Sequence, residues 1–418
     1  MSETVYILNG ARTPYMRAGT DFKDVSAADL GRSAAVEAMA RAGITPDAVD
    51  QAIFGNIATP VDAANIGRIV ALRAGVPKER PAHSVSRNCA SGIESVVQGT
   101  RLIRTGEASV VLAGGVENMS QIPFLYREPV KAALTEAAMA RTTGARVKAF
   151  SRLPWAQLLN PVIGLKEGLT DPVCGLNMGE TAELLAKEGK ISREMQDRFA
   201  LGSHLKAAAA RAKTAEEIVP VQLPPAFDRV ATADNGIREG QTMEALAKLK
   251  PFFDRKFGSV TAGNSSQITD GAAAVVLASE AFVKANGSKP IGRVVSWGFA
   301  GLEPERMGLG PSRSTPVALE AAGLAMKDLG LVEMNEAFAA QVLANIQAFE
   351  KDPALGPLAE EILNVNGGAI ALGHPVGSSG TRLILTLLYE MRRRKVRYGL
   401  ATLCIGGGQG ASIIVEAV

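Results

Sequence analysis

The sequence predicts an α/β protein built in layers. Short apolar runs alternate with longer Ala-rich stretches of helical periodicity along the chain. Of the 418 residues, 47% are hydrophobic and 21% are charged, which is ordinary for a globular protein with room for two domains. Because strands that alternate with helices favour a helix-covered sheet, we expect a mostly parallel sheet with both faces covered.

The individual elements follow from apolar runs and from helical spacing. Strands are predicted at VYILNG, QAIFGN, SVVLAGG, AAAVVLAS, GRVVSWGFA, LVEMNEA and YGLATLCI. Helices are predicted where apolar residues recur every three or four positions, over residues 27–42, 93–104, 180–188, 193–213, 315–322, 337–349 and 381–394.

A short pattern occurs twice in the chain. AGI at 42–44 ends a helix, and GN at 55–56 follows the next strand. AGL at 322–324 and NE at 335–336 repeat that order at nearly the same spacing. The pattern predicts two similar α/β halves that arose by duplication.

A long segment interrupts the alternation and is rich in prolines and loops. We interpret residues 122–268 as a loop domain inserted into the first half. The N-terminal half would then comprise residues 1–121 plus 269–288, and the C-terminal half residues 289–418.

Charge and cysteine content exclude several classes of protein. The net charge of +3 gives no basis for nucleic-acid binding. Cys89, Cys174 and Cys404 are widely spaced and form no CxxC pair, so we expect neither a disulfide framework nor a metal site. From the start MSETVYILNG we expect no leader, and no run of about 18 apolar residues occurs in the sequence. We expect a bacterial, cytoplasmic protein.

One part of the inserted segment is basic and amphipathic. EPVKAALTEAAMARTTGARVKAFSR carries more Lys and Arg than Asp and Glu. Such a segment can lie on an anionic membrane surface, or it can be an ordinary solvated helix face. Membrane-surface contact is expected, if anywhere, only through this segment.

The stretch SVSRNCASGIESVV places a cysteine just before a helix. Ile93, Val96 and Val97 recur at helical spacing after Cys89. Unpaired N–H groups and the positive end of the helix dipole would lower the thiol pKa from its usual value of about 8.5. Cys89 is therefore a candidate nucleophile, and a packed core cysteine is the alternative.

Three further candidates stand at the ends of predicted elements. His374 lies within NVNGGAIALGHPVGSSGTR, in a glycine-rich turn that we place between a strand and a helix. Cys404 ends the strand of ATLCIGGGQG, whose glycines would let a substrate approach backbone N–H groups. Asn335 ends a strand in NEAFAAQ and is a candidate N-cap for the next helix.

Taken together, these motifs resemble a known family. NCASG, NEAFA, NGGAIALGHPVGSSG and CIGGGQG, in this order, are similar to the four signature blocks of the thiolases. ARTP, MGETAE, SVTAGNSSQITDGAAA and RMGLGP also match, so the resemblance covers essentially the whole chain. KAFSRLPWAQLLNP and AAQVLANIQAF resemble most the β-subunit type of the trifunctional fatty-acid-oxidation complex, whereas Asn335 and CIGGG follow the general thiolase pattern.

The resemblance implies duplicated βαβαβαββ halves in a five-layered α/β/α/β/α core, and it implies a catalytic set. Cys89 would be the nucleophile and acyl carrier, His374 its base, and Cys404 the second acid and base. Asn335 would hold a water that, with His374, stabilises an enolate. The N–H groups of Cys89 and Gly406 would stabilise a tetrahedral intermediate.

Coenzyme A is implied as a substrate, and no bound cofactor is implied. By resemblance, Ser266 and Ala262 line the path of its pantetheine arm, and Met178, Met307 and Phe338 shape the acyl end. Core packing is the alternative for the two methionines and the phenylalanine.

The implied reaction is the reversible cleavage of 3-oxoacyl-CoA by CoA to acyl-CoA and acetyl-CoA, through an acyl-cysteine and ping-pong kinetics, as in fatty acid β-oxidation. A biosynthetic thiolase that condenses two acetyl-CoA molecules and a non-catalytic lipid-binding protein on the same fold are the alternatives. The family implies a homodimer or homotetramer. The β-subunit type also implies a hydratase/dehydrogenase α-subunit as partner.

Overall fold

The structure, a computed structural model, describes residues 3–418 and divides into two compact units. The larger unit comprises the chain up to Ser120 together with Asp171–Val418, and the smaller unit is Gln121–Thr170. Among the helices of residues 3–418, none combines the length and apolar character needed to cross a bilayer.

The elements are numbered in chain order. The strands are β1 (Val5–Arg12), β2 (Met16–Arg17), β3 (Gln51–Gly55), β4 (Ala82–Val85), β5 (Val110–Glu117), β6 (Phe124–Leu125), β7 (Val162–Ile163), β8 (Val221–Leu223), β9 (Arg229–Ala231), β10 (Thr269–Ser279), β11 (Gly292–Gly301), β12 (Leu331–Met334), β13 (Tyr398–Ile405) and β14 (Gln409–Ala417). The helices are α1 (Ala27–Ala42), α2 (Ile66–Arg73), α3 (Ser91–Arg104), α4 (Glu128–Met139), α5 (Thr143–Ser151), α6 (Trp155–Leu158), α7 (Gly164–Gly168), α8 (Met178–Glu188), α9 (Arg193–Ala209), α10 (Arg211–Thr214), α11 (Met243–Ala247), α12 (Glu280–Asn286), α13 (Gly310–Ala322), α14 (Ala339–Lys351), α15 (Ala369–Leu372) and α16 (Val376–Arg394).

The main sheet of the larger unit is mixed, so the expectation of a mostly parallel sheet is wrong. Its order is β12-β13-β14-β11-β1-β10-β5-β3-β4, with β2 paired to β10. Only β3 with β4, β3 with β5, and β12 with β13 are parallel, and the central pairs are antiparallel. The physical reason is clearest at β13 and β14, since a short glycine turn can join only antiparallel neighbours.

The predicted duplication is confirmed by the strand order. The N-terminal half reads β4-β3-β5-β10-β1 and the C-terminal half reads β12-β13-β14-β11, with Leu363 bridged to Val332 where a counterpart of β4 would lie. The halves join where β1 pairs with β11. The repeated pattern also recurs in three dimensions, because α1 and α13 both end at a left-handed glycine, Gly43 and Gly323.

The predicted five layers are confirmed by the way helices pack on the strands of the two halves, which form the two β layers. One core cluster joins α1 and α2 to the N-terminal strands, and another joins α13 and α14 to the C-terminal strands. A third cluster contains α3 and α16 with strands of both halves, so these two helices form the middle layer. Their backbones approach so closely that a Cβ on Gly92 would lie 2.5 Å from the Thr381 nitrogen. This contact fixes the loops that precede both helices.

The smaller unit has its own apolar core. It contains α4 to α7 and the pair β6–β7, and its buried contacts come from Val130, Ala133, Leu134, Leu153 and Leu158. The predicted insertion of residues 122–268 is longer than this unit, because the chain from Asp171 onward lies in the larger unit. The boundaries of the two halves remain predictions.

Candidate active site

Cys89 lies in a tight turn between β4 and α3. The Ser91 hydroxyl accepts the Arg87 N–H at 2.8 Å and donates to the Asn88 carbonyl at 2.7 Å, which closes the turn. Asn88 has a φ of 43°, in the left-handed region that asparagine tolerates better than most residues. The turn places the half-buried thiol two residues before the helix.

The expectation that the helix terminus lowers the Cys89 pKa is wrong for this protein. Burial raises the pKa of the thiol above its ordinary value, and this is the largest effect. Hydrogen bonding to the backbone N–H groups of Gly406 and of Cys89 itself lowers the pKa, whereas the negative charge of Glu117 raises it. The cost of removing a charged sulfur from water therefore outweighs the two N–H contacts, and the resting thiol is protonated at pH 7.

Gly406 connects the turn after β13 to the cysteine loop. The Asn88 Nδ2 donates to the Gly406 carbonyl at 2.7 Å. A Cβ on Gly406 would lie 3.1 Å from the Met178 sulfur, so the backbone of this glycine is close to the side chain that begins α8. Residues of both halves therefore surround the Cys89 thiol.

Cys404 lies near the end of β13 and is 1% exposed. Its side chain packs in one apolar cluster with Met307 and Phe338, and Met178 packs against that cluster. Burial raises the pKa of the Cys404 thiol, and the charge of Cys89 raises it further. The two thiols are therefore within electrostatic range of each other, although 315 positions separate them in the chain.

The backbone of Asn335 is hydrogen-bonded to the sheet, but its side chain is not. The Asn335 N–H donates to the Thr402 carbonyl at 2.9 Å, which extends the pairing of β12 with β13. The predicted N-cap role is wrong, because the N-cap of α14 is Phe338. Both amide atoms of the Asn335 side chain are buried and have no partner within residues 3–418. Buried amides need hydrogen-bond partners, so this group calls for a water or a ligand atom.

His374 lies between two helices, α15 and α16, and the predicted strand before it is wrong. Its backbone N–H donates to the Gln267 carbonyl at 3.1 Å, and its Nδ1 is 2.6 Å from the Ser379 Oγ. Nε2 is buried with no partner in the described chain. Burial lowers the imidazole pKa to about 4, and the charge of Arg382 adds to the effect. The imidazole is therefore neutral at pH 7.

The residues predicted to contact coenzyme A fall into two groups. Met307 and Phe338 belong to the apolar cluster that contains Cys404, and Met178 packs against it. Ser266 is half-buried, and its N–H donates to the Ala337 carbonyl at 2.9 Å, next to Phe338. Ala262 is exposed and lies outside the cluster.

Sequence reasoning missed a buried carboxylate close to the nucleophile. Glu117 is 1% exposed and accepts the Ala58 N–H at 2.8 Å, the Gly377 N–H at 2.9 Å and the Asn56 amide at 2.9 Å. Burial raises its pKa to about 7. The carboxylate links the end of β5 to the start of α16, just after His374. Its sequence signal was a single acidic residue at the end of an otherwise apolar strand.

A buried ion pair joins α16 to β12. The Arg382 guanidinium is 3.0 Å from the Glu333 carboxylate, and both side chains are almost fully buried. Burial raises the pKa of Glu333 to about 8, against the opposing charge of Arg382. The cation on α16 disfavours a second positive charge on His374. The charge of Arg382 therefore adds to burial, which is the larger cause of the lowered His374 pKa.

Two thiols, one neutral imidazole and two backbone N–H groups aimed at a thiol are the components of a cysteine-dependent acyltransferase. The family profile described as "Thiolase, N-terminal domain" matches residues 5–281, and that described as "Thiolase, C-terminal domain" matches residues 288–417. The chain belongs to the thiolase family. The family resemblance and the fold inferred from it are thereby confirmed.

Relatives of known name agree with this family. A 3-ketoacyl-CoA thiolase of Yersinia enterocolitica is 41% identical over 427 residues, which cover 99% of this chain and 97% of the relative. The structure of human mitochondrial 3-ketoacyl-CoA thiolase in complex with CoA has a TM-score of 0.88 at 39% identity, with 100% and 98% of the two chains covered. The acetyl-CoA acetyltransferase of Bacillus anthracis has a TM-score of 0.89 at 35% identity, with 100% and 99% covered.

Proposed function

We propose that this thiolase catalyses the reversible cleavage of 3-oxoacyl-CoA by CoA, which yields acyl-CoA and acetyl-CoA. The observation that carries the proposal is the Cys89 thiol, which has the Gly406 N–H beside it and the Cys404 thiol within electrostatic range. The names of the Yersinia and human relatives support the same reaction.

In the first half-reaction, His374 removes the Cys89 proton as the sulfur attacks the 3-oxo carbon. The N–H groups of Cys89 and Gly406 stabilise the tetrahedral oxyanion, and one such donor is typically worth about 3 kcal/mol. The C2–C3 bond then breaks, its electron pair forms the enolate of acetyl-CoA, and the Cys404 thiol protonates C2. Asn335, through a water, and His374 stabilise the enolate oxygen. The acyl group stays on Cys89.

In the second half-reaction, the Cys404 thiolate removes the proton of incoming CoA. The CoA sulfur attacks the acyl-cysteine, the bond between the acyl carbon and the Cys89 sulfur breaks, and the proton held by His374 returns to Cys89. Exchange between two thioesters is nearly balanced in energy, so the acyl-enzyme is neither a trap nor a barrier. A thiol is also well matched in pKa to deprotonate another thiol.

Coenzyme A is a substrate in this proposal. We infer that Ser266 and Ala262 line its pantetheine arm and that Met178, Met307 and Phe338 shape the acyl end. The packing of the last three around Cys404 supports an apolar acyl site, since methionine adapts to irregular chains.

The test is intact-protein mass spectrometry after the enzyme is mixed with 3-oxoacyl-CoA without free CoA. We expect one acyl mass on the wild type and none on Cys89→Ala. Cys404→Ala should still accept an acyl group from acyl-CoA but should not cleave 3-oxoacyl-CoA, because no acid protonates the leaving carbon. A wild-type protein that never gains acyl mass would contradict the mechanism.

The biosynthetic alternative, condensation of two acetyl-CoA molecules, is favoured by the likeness to the Bacillus acetyltransferase. Rates of thiolysis measured on 3-oxoacyl-CoA chains from short to long distinguish the two. A degradative enzyme with an apolar acyl site should retain activity as the chain lengthens, whereas an acetoacetyl-CoA enzyme should be confined to the shortest substrate.

We further propose a homodimer or homotetramer in the bacterial cytoplasm, which sedimentation would test, and a hydratase/dehydrogenase α-subunit as partner, which co-purification would test. Membrane-surface contact is proposed only through the basic segment of residues 128–152, which lies in the smaller unit. That unit exposes Phe124, Leu125, Tyr126, Met139, Val147, Phe150, Trp155, Leu159 and Ile163. Co-sedimentation with anionic vesicles, but not with neutral ones, would support that contact.

A further inference from the structure

Ser379 is the one side chain of the described residues that is hydrogen-bonded to the imidazole of His374. Its Oγ is 2.6 Å from Nδ1 and 3.0 Å from the Pro375 carbonyl. The serine lies in the first turns of α16 and is fully buried, so no solvent competes for the hydroxyl.

The two contacts of the Ser379 hydroxyl constrain where its hydrogen points. A carbonyl oxygen can only accept, whereas a neutral ring nitrogen can either donate or accept. The hydroxyl satisfies both contacts when it donates to the Pro375 carbonyl and accepts from Nδ1–H. The imidazole hydrogen then lies on Nδ1.

The other ring nitrogen gives the same answer independently. Nε2 of His374 is buried and unpartnered within residues 3–418. A buried N–H without an acceptor is rarer in proteins than an acceptor without a donor. The hydrogen therefore belongs on Nδ1, and the free lone pair belongs on Nε2. The choice matters because the imidazole is neutral at pH 7, and only the neutral ring has two tautomers.

We propose that Ser379 is a positioning residue that fixes His374 as the Nδ1–H tautomer and keeps the Nε2 lone pair free to take the Cys89 proton. This inference rests on the proposed function, in which His374 is the base. It adds a residue that acts through the imidazole and contacts neither thiol nor substrate.

The test compares two neighbouring serines. Ser378 is equally buried and lies in the same turn, but its Oγ bonds to the Tyr15 hydroxyl at 2.7 Å and not to the imidazole. We expect Ser379→Ala to lower kcat roughly 10- to 100-fold with little change in KM, which is less than the roughly 10²- to 10⁴-fold that the base itself contributes. Ser378→Ala should stay within a few-fold of wild type, and Ser379→Thr, which keeps the hydroxyl, should recover most of the rate.

A spectroscopic readout separates positioning from a general loss of structure. The chain has only three histidines, so ¹⁵N-histidine labelling with His374→Gln as reference assigns the imidazole signals. The wild type should show a protonated Nδ1 and an unprotonated Nε2, and Ser379→Ala should show a mixture of tautomers. An Nε2–H tautomer in the wild type, or equal rates for Ser379→Ala and Ser378→Ala, overturns the proposal.

The outcomes also distinguish this inference from the proposed function. If His374→Gln keeps its turnover, His374 is not the base and both ideas fail. If His374→Gln is inactive while Ser379→Ala behaves as Ser378→Ala, only the role of Ser379 fails.

Discussion

The cysteine loop and the histidine loop occupy equivalent places in the two halves of the molecule. Cys89 and His374 each stand two residues before a helix of the middle layer, which begins at Ser91 in one half and at Val376 in the other. Burial raises the pKa of the thiol and lowers that of the imidazole. The same desolvation thus keeps both groups uncharged, so the resting pair is thiol and imidazole and not an ion pair.

The loops differ in what supports the reactive group. Five residues after His374, Ser379 contacts the imidazole; five residues after Cys89, Glu94 instead binds Arg87 at 2.7 Å. The thiol receives one N–H donor from Cys89 itself and a second from Gly406 of the other half. The imidazole of His374 is therefore held by a residue of its own half, whereas the Cys89 thiol also depends on an N–H group of the other half. For this reason neither half carries a complete site.

The largest effect should come from removal of the base. In His374→Gln the buried thiol stays protonated and nothing accepts its proton, so we expect thiolysis to fall about 10⁴-fold. His204→Gln is the matched control, because His204 is equally buried but its Nδ1 accepts the Arg238 N–H at 3.2 Å. Steady-state rates of thiolysis should be measured for His374→Gln and His204→Gln. Equal activity of the two variants would show that His374 is not the base.

The second effect concerns the free energy of unfolding, which His374 changes at acid pH and Cys89 at alkaline pH. The folded imidazole pKa of about 4 lies below the ordinary 6.5, so the unfolded chain binds more protons between these values. His374 therefore lowers the free energy of unfolding as the pH falls from 6.5 to 4, by up to about 3 kcal/mol. Denaturant titrations should show a shallower acid limb for His374→Gln than for wild type.

The Cys89 thiol changes the free energy of unfolding with pH in the opposite sense to His374. Its raised pKa means that the folded state binds more protons than the unfolded state above about pH 8.5. Cys89 therefore destabilises the fold as the pH rises through this range, and Cys89→Ala should make the alkaline limb shallower while leaving the acid limb unchanged. Part of the alkaline slope should stay, because burial also raises the pKa of Cys404. A variant that alters both limbs alike would argue against separate burial of the two groups.

A smaller effect should come from the carboxylate near the thiol. Glu117→Gln removes a charge that raises the Cys89 pKa, so the midpoint of Cys89 alkylation against pH should fall. Turnover should nevertheless fall, because the amide cannot accept all of the N–H groups that the carboxylate accepts.

Glu336→Gln is the counterpart for this prediction in the C-terminal half. Glu336 is equally buried and accepts from Ser203 at 2.6 Å and from Asn364 at 2.9 Å, but its charge is not among the causes of the Cys89 shift. Its removal should leave the alkylation midpoint in place. Equal shifts for the two variants would show that the effect is not local.

The smallest effect should come from Gly406→Ala. The added Cβ would lie 3.1 Å from the Met178 sulfur, which ends a flexible side chain, and the backbone N–H is retained. We expect a few-fold slower acylation. Gly408→Ala should instead destabilise the fold, because its φ is +77° and its Cβ would lie 2.3 Å from the Leu302 carbonyl. Thermal melting and acylation rates distinguish the two.

Local patterns were sufficient for much of the fold. The predicted helix over residues 27–42 matches α1, and all seven predicted strands are present. The helix after the His374 loop was predicted too short. It begins at Val376 and not at 381, because Gly and Ser at its start weaken the apolar periodicity. The strand β4 was missed because only Ala82 and Val85 of its four residues are apolar. The helix α2 was missed because its eight residues are too few to show a clear helical period.

The sequence by itself determined the α/β class, the duplication and the identity of the two thiols, the imidazole and the amide. These features can be predicted from the sequence because each depends on residues that lie close together in one segment. Only the tertiary structure decided the direction of the strands, the protonation of Cys89 and His374, and the contacts of Glu117 and Ser379. Those properties depend on desolvation and on partners distant in the chain, and the spacing of residues along one segment does not encode them.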